Sequence, residues 1–320
     1  MKLKFISGAL LDVRAAFFTP AVISSLFEAR VASDDGSPIA DPLRVGARGG
    51  GMALRAGVRT SVSVEPARGR GSIDVLVNGM PDEARTTRAA VSMLLERLGV
   101  SGVRVRISHR LEVPTGSGFG TSASGAMGAV LALSTALGRP LPVVEASRIA
   151  HAADVISSTG LGTAEGLIAG GVGLVTEPGA LWFGRFERIT FSPSLAVVAL
   201  HLGPVEKSRV LGSPDALERA NRAGAEAMRR LTADPRLETL LREARRFAES
   251  SGIGDRELLS IADELVAAGA IGATQNMIGR AVHAVVHRRN LADVVRAASE
   301  HGGSLIVSGI YDGGPRPLSG

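Results

Sequence analysis

The run Pro114-Thr-Gly-Ser-Gly-Phe-Gly-Thr-Ser-Ala-Ser-Gly-Ala126 decides how the rest of the chain is read. Glycines at 116, 118 and 120 permit positive φ and let a ligand approach the backbone closely. A helix of small residues, 126–137, is predicted to follow at once. A helix start offers unpaired N–H groups and the positive end of the helix dipole, a combination that holds phosphate. Thr121, Ser122 and Ser124 bring hydroxyls to the same point, where they cap the helix or bind phosphate and a hydrated metal ion. Any glycine-rich turn before a helix shares part of this pattern, so the surrounding chain has to discriminate.

Two commoner nucleotide loops fail on their own requirements. A P-loop ends in Lys followed by Ser or Thr, whereas the only lysines here are Lys2, Lys4 and Lys207. Gly118-x-Gly120-x-x-Ala123 satisfies the loose dinucleotide pattern, with Glu145 downstream as its acidic ribose ligand. Pro140 and Pro142, however, make Glu145 the opening of a helix and not the end of a second strand.

Outward from the loop, residues 103–111 alternate Val or Ile with Arg and Ser, which predicts a strand leading into it. Residues 60–66 and 72–77 read as half-buried strands, and 82–98 as a helix. Beyond the loop come a helix at 143–155, a turn at 157–162 and a small-residue helix ending at Gly170-Gly171. Strands are predicted at 172–175, 181–191 and 195–202. After Gly203 helical patterns dominate, at 216–231, 236–250, 256–268, 276–287 and 291–298, before a last strand at 304–310. The class is α+β, and Pro178-Gly179 marks a boundary near 177–195.

With 320 residues, 45% hydrophobic and only 3% aromatic, the chain has material for one or two cores of Val, Leu, Ile and Ala. No apolar run approaches the roughly 18 residues of a membrane helix, and the apolar segment 5–11 is too short for a signal peptide, so a cytoplasmic protein is expected. The absence of cysteine excludes disulfides and thiolate metal sites. A net charge of +5 raises nucleic acid as a partner. The arginines are nevertheless scattered among acids, and one Trp and one Tyr leave little for base stacking. A positive field of this size suits anionic small molecules, with no nucleic acid and no membrane among the partners.

The pattern Pro-x-x-x-Gly-hydrophobic-Gly-Thr/Ser-Ser-Ala over 114–123 resembles the ATP-binding motif of the GHMP small-molecule kinases, the superfamily of galactokinase, homoserine kinase and mevalonate kinase. Within it, residues 118–133 are most similar to the archaeal pantoate kinases. Asp41-Pro-Leu-Arg-Val-Gly-Ala-Arg-Gly-Gly-Gly51, Ala150-His-Ala-Ala-Asp154, Thr159-Gly-Leu-Gly162, Glu177-Pro-Gly179, Asn276-Met-Ile-Gly279 and Ser308-Gly-Ile-Tyr-Asp-Gly-Gly314 agree, in order, from about Phe17 to the C-terminus. The resemblance implies the GHMP kinase two-domain fold. Residues 1–14 are then an extension, 15–185 an ATP-binding domain of the ribosomal protein S5 domain 2-like type, and 186–320 a ferredoxin-like α/β domain. It also implies ATP and Mg2+, an anionic hydroxy acid (pantoate, on the archaeal route to coenzyme A) as acceptor, and a homodimer. Two alternatives stay open: another GHMP kinase of homoserine or mevalonate-pathway type, and a non-catalytic regulator that binds nucleotide or metabolite.

On this resemblance Pro114, Gly116, Ser117, Gly118, Phe119, Gly120, Thr121, Ser122, Ala123 and Ser124 form the ATP-binding loop. Ser122 stands where the superfamily has a hydroxyl near Mg2+, and Asp154 matches its acidic metal ligand, usually Glu. His151, one turn earlier on the same helical face, reads as a hydrogen-bonded structural histidine. Arg48 is the candidate clamp for a carboxylate, since guanidinium binds it bidentately while Gly49 and Gly50 permit close approach. Ser24 and Ser25 match the stretch lining the substrate pocket, whereas Lys207 reads as a solvated loop residue. Two departures stand out. Thr163 occupies the place where mevalonate kinase-like members carry the Asp regarded as the base, with Glu165 two positions on, and Val22 replaces the histidine of the pattern Pro-x-His-Ile. Ser122, Asp154, Thr163 and Glu165 are therefore the candidate catalytic group. Phosphoryl transfer through a loose transition state asks mainly for positioning and charge neutralisation, so loss of a base is compatible with activity.

Overall fold

The computed structural model describes residues 13–33, 35–67, 69–162, 164–203, 213–277 and 279–319. Thr163, Lys207 and residues 1–12 of the extension lie outside them. Two long antiparallel strands, β1 (Val13–Arg30) and β2 (Gly46–Pro66), form the spine. They belong to an eight-stranded sheet with β3 (Ser72–Val77), β4 (Met80–Pro81), β5 (Val103–Leu111), β6 (Val172–Glu177), β7 (Arg185–Ile189) and β12 (Arg316–Pro317), ordered β12-β1-β2-β5-β3-β4. β6 pairs with β2 and with β7. β5 shows why such segments become strands: Val103, Val105 and Ile107 are buried while Arg104, Arg106 and Arg110 face out, the period of a sheet covered on one side.

That cover consists of α1 (Arg85–Leu98), α2 (Thr121–Ala136), α3 (Val143–Ile156) and α4 (Ala164–Ala169). α2 is buried almost all round, so its side chains must be small. Val62, Val105, Ile107, Leu94 and Met127 share this core. The opposite face of β1 and β2 packs on α5 (Pro214–Ala233), α6 (Leu237–Ser250) and a second sheet, through Ile23, Leu26, Met52, Leu240 and Phe247.

The second sheet contains β8 (Leu195–Gly203), β9 (Gly272–Gln275), β10 (Arg280–His287) and β11 (Ser304–Gly309), ordered β11-β8-β10-β9 with every pair antiparallel. In chain order this is fourth-first-third-second, the ferredoxin-like arrangement. Its outer face is covered by α7 (Arg256–Ala267) and α8 (Leu291–Ser299), around Leu258, Leu265, Val282 and Val294. The tail then returns through β12 to pair with β1. The division at 185/186 falls at the first residue of β7, which stays with the first sheet through β6. No described helix is long and apolar enough to cross a membrane.

Three sequence expectations are corrected here. Residues 276–287 are not a helix, because 280–287 form the inner strand β10. Ala281 and Val285 face the first sheet's side and Val282, Ala284 and Val286 face α7 and α8, so burial on both faces erases the polar alternation that marks a strand. The strand expected over 181–191 shrinks to Arg185–Ile189 behind a turn in which Trp182 takes a φ of 87°. α2 starts at Thr121, ahead of the expected 126.

Glycines 49–51 answer to the packing of β1 and α6. A Cβ on Gly51 would lie 2.1 Å from the Ile23 carbonyl oxygen across the strand pair, and one on Gly50 would lie 2.6 Å from Leu240 Cδ1. Gly51→Ala is therefore expected to destabilise the fold by about 1–3 kcal/mol or more, read as a lower urea midpoint at unchanged m-value.

Candidate active site

A cleft of about 660 Å3 opens where the glycine loop, the start of α1 and the turn after α3 converge. Gly116, Gly118 and Gly120 take φ values of 70°, 77° and 65°, which only glycine adopts without strain. Gly120 is the N-cap of α2, and no side chain caps the helix. The first helical bond runs from Ser124 N to Gly120 O at 3.0 Å, so the N–H groups of Thr121, Ser122 and Ala123 have no partner within the helix. All three residues line the cleft. The result is a row of donors at the positive end of a helix dipole, suited to an oligoanion.

Other members of the loop are anchors. Ser124 Oγ donates to the carbonyls of Pro20 (2.7 Å) and Gly120 (3.0 Å), so this hydroxyl is not offered to phosphate. The Ser117 hydroxyl bonds His201 Nδ1 at 2.8 Å in the second sheet. Phe119 is a core residue whose carbonyl accepts from Val22 N at 3.0 Å. Pro114 precedes the cleft and does not line it.

Asp154, near the end of α3, lines the same cleft as Ser122. Its Oδ1 accepts from Thr159 Oγ1 at 2.7 Å, and Thr86 Oγ1 of α1 in turn donates to Thr159 at 2.6 Å. A Cβ on Gly160 would lie 2.1 Å from Asp154 Oδ2, so this turn closes on the carboxylate only because residue 160 has no side chain. No group of three or more His, Cys, Asp or Glu that could hold a metal occurs among the described residues. A hard cation held by Ser122 and Asp154 would thus complete its shell with phosphate oxygens and water, the habit of Mg2+.

Glu165 lines neither this cleft nor the pocket beside it. It is buried in the first turn of α4, its Oε1 3.7 Å from His151 Nδ1. Burial pushes its carboxyl above the usual range, with His151 offsetting part of the effect. His151 Nε2 donates to the Val45 carbonyl at 2.9 Å, a structural bond. Thr163, beside Glu165 in the chain, lies outside the described residues.

A second, smaller pocket adjoins the cleft, and Ser24, Phe27, Ala47 and Gly162 line both. Arg48 stands in its wall with Val22, Met52 and Ala53. Arg48 Nη1 pairs with Glu28 Oε2 at 3.1 Å, while its Nε is buried without a hydrogen-bond partner among the described residues. The clamp expected of Arg48 is therefore half engaged by a carboxylate of the chain itself. Gly49 and Gly50 line the pocket with backbone, their missing side chains already required by Leu26 and Leu240. Ser25 departs from expectation: it lines neither cavity, and its hydroxyl bonds His283 at 3.1 Å in the core.

His109 lines the cleft and carried no signal in the sequence, being one histidine in a strand. Its ring lies between Thr60 Oγ1 at Nδ1 (2.9 Å) and Thr87 Oγ1 at Nε2 (3.1 Å). Burial lowers its pKa to about 4, with Asp82 opposing weakly. The unfolded chain therefore binds a proton near pH 6.5 that the native protein refuses until about pH 4, so His109 makes stability fall as pH drops through that window. His109→Gln should flatten the curve of urea midpoint against pH between 6.5 and 4 relative to wild type. Identical slopes would show that the ring is charged in the native state.

Residues 85–165, from α1 through the glycine loop to α4, match the GHMP kinases N terminal domain. The chain is 30% identical over 281 residues to the pantoate kinase of Thermococcus kodakarensis, covering 86% of this chain and 91% of the relative. It is 26% identical over 274 residues to the pantoate kinase of Methanospirillum hungatei, covering 84% and 90%. A solved phosphotransferase related to the coenzyme A biosynthesis pathway superimposes with a TM-score of 0.83 at 28% identity, covering 95% of this chain and 98% of the other. Homoserine kinase from Cytophaga hutchinsonii shares the fold, with a TM-score of 0.66 at 16% identity and coverage of 98% and 100%. Matched almost end to end by such relatives and carrying their phosphate loop on their fold, the chain belongs to the pantoate kinase family of the GHMP kinases, phosphotransferases that act on a hydroxyl group.

Proposed function

We propose that this chain transfers the γ-phosphoryl group of ATP to the primary hydroxyl of pantoate, giving 4-phosphopantoate. The observation that carries this reading is the junction of two cavities at Ser24, Phe27, Ala47 and Gly162. One cavity opens on the N-terminus of α2 and fits a triphosphate; the other combines an arginine with apolar wall. Pantoate has the matching parts, a carboxylate for Arg48 and a dimethyl-substituted carbon for Val22, Met52 and Ala53. Val22, in the place of a histidine, extends that apolar wall. Mg2+, when bound by Ser122 and Asp154, would neutralise charge on the phosphates. A homodimer in the cytoplasm belongs to the same proposal.

The chain's own contribution is to hold two substrates in line. Thr121, Ser122 and Ala123 orient phosphate oxygens through their N–H groups, Arg48 orients the acceptor, and the shared wall brings the hydroxyl to the phosphoryl group. Effective concentration from such alignment lowers the barrier without a side-chain base, the hydroxyl losing its proton late, to a phosphate oxygen or to solvent. Glu165, turned toward His151 and lining neither cavity, is poorly placed to accept the proton.

With ATP and Mg2+, ADP release from a panel of pantoate, homoserine, mevalonate and shikimate should show kcat/KM at least about tenfold higher for pantoate than for any other, a margin that small differences in pocket fit supply. A preference for homoserine or mevalonate would reject pantoate as acceptor. Glu165→Gln should retain turnover within about 100-fold, the low end of general-base effects. Abolished turnover with intact binding of both substrates would make Glu165 the base.

A further inference from the structure

Four buried polar groups that no step of phosphoryl transfer uses are joined end to end across the two sheets. Ser25, His283 and Asn276 have no exposed surface, and Ser117 has 1%. Asn276 Nδ2 donates to the Ser117 carbonyl at 3.0 Å, so its Oδ1, 2.8 Å from His283 Nδ1, must accept. His283 therefore carries its proton on Nδ1. Burial lowers the ring's pKa to about 4, which leaves Nε2 unprotonated near neutrality, and Ser25 Oγ donates to it at 3.1 Å. Each atom has one assigned role, and the donors run in one direction from Ser25 to the phosphate loop.

Both ends of this chain are tightly placed. The β1–β2 register passes from Ser24↔Gly51 to Leu26↔Gly50, so Ser25 is the extra residue of a bulge. Ser25 faces the second sheet, where the bulge also places Leu26, while its neighbour Ser24 lines both cavities. Met277 N donates to the Ser24 carbonyl at 3.0 Å, a backbone brace beside the side-chain relay. At the other end, a Cβ on Gly118 would lie 2.8 Å from Met277 O, and one on Gly279 would lie 2.5 Å from Ser117. There is no slack between the phosphate loop and the segment that carries Asn276. An apolar core would seal the same space, but only directional bonds fix one loop carbonyl against one bulge.

We propose that Ser25, His283 and Asn276 are positioning residues that tie the phosphate loop, through the Ser117 carbonyl, to the β1 bulge carrying Ser24, so that nucleotide and acceptor are held in one fixed relation. The kinetic part rests on reading the two cavities as nucleotide and acceptor sites; the mechanical part does not.

Amide hydrogen exchange of the ligand-free protein tests the mechanical part with Ser25→Ala, which removes one hydroxyl, and His283→Phe, which keeps the bulk of the ring. Exchange in 114–123 and in 22–27 should accelerate together, by about tenfold, the effect of one lost buried hydrogen bond. α7 should be unchanged, and Ser25→Thr, which keeps the hydroxyl, should restore protection. In turnover, Ser25→Ala should lower kcat about tenfold while changing KM for ATP less than about threefold, because alignment is lost more than affinity. Exchange confined to 22–27, or an unchanged kcat in Ser25→Ala, overturns the proposal. If exchange moves in both segments while wild type phosphorylates no member of the acceptor panel, the tie stands and the reading of the cavities falls.

Discussion

A triphosphate held by backbone N–H groups needs a loop whose shape is set by something other than the ligand. Three glycines at positive φ give 114–120 much conformational freedom to lose, so its restraint has to come from neighbours. Phe119 supplies part of it as a core side chain whose carbonyl is bonded by Val22, and Ser124 ties the next turn to Pro20. The remainder comes from the second sheet, through His201 and Asn276. Neither sheet alone provides a rigid phosphate site. The core shared by β1, β2, α5, α6, β8 and β10 thus helps to hold the glycine loop in shape.

β1 transmits this restraint to the acceptor side. Along one strand it supplies Val22 and Ser24 to the pocket walls, Ser25 to the polar core and Glu28 to Arg48. Strand alternation sends Ser24 and Ser25 to opposite faces, and the bulge between Ser24 and Leu26 lets Leu26 join Ser25 on the side of the second sheet. Glycines 49–51 on β2 answer it by letting the strands close around the bulge. At the far end, Asn221 of α5 bonds both the N–H and the carbonyl of Ala29, which holds the Glu28 end of the strand against the second half of the chain.

What was legible in the sequence follows from how local each signal is. The phosphate loop and its helix were readable because glycine spacing and a helix start are properties of neighbours in the chain. Most strands and helices of the first half carry one polar face and were readable for the same reason, whereas β10, apolar on both faces, imitated a helix. Residue type could not reveal the direction of a side chain. Ser24 and Ser25 are adjacent and identical, yet the strand gives one to the cavities and the other to the core. Ser122 and Ser124 divide in the same way, one lining the cleft and the other anchoring its helix. Arg48 was recognisable as a cation beside glycines, but its pairing with Glu28 depends on register across two strands. His109 and His283 are single histidines in strands, with nothing nearby in sequence to mark one for the cleft and the other for the relay.

The arrangement of acids bears on how a kinase of this kind works with Thr at the expected base position. A carboxylate beside the transferring phosphoryl group would accept a proton, but it would also repel the phosphate charge in a cavity where screening by water is reduced. Asp154 faces the cleft, its Oδ1 accepting from Thr159 Oγ1. Glu165, the acid two positions beyond the expected base position, is withdrawn toward His151, and burial pushes its carboxyl above the usual range. Glu28 is the acid that meets the acceptor pocket's arginine, and pairing consumes its charge. Ser24, Gly162 and the glycine loop line the space where the two cavities meet, and a loose transition state gains more from positioning and charge neutralisation there than from an early proton transfer.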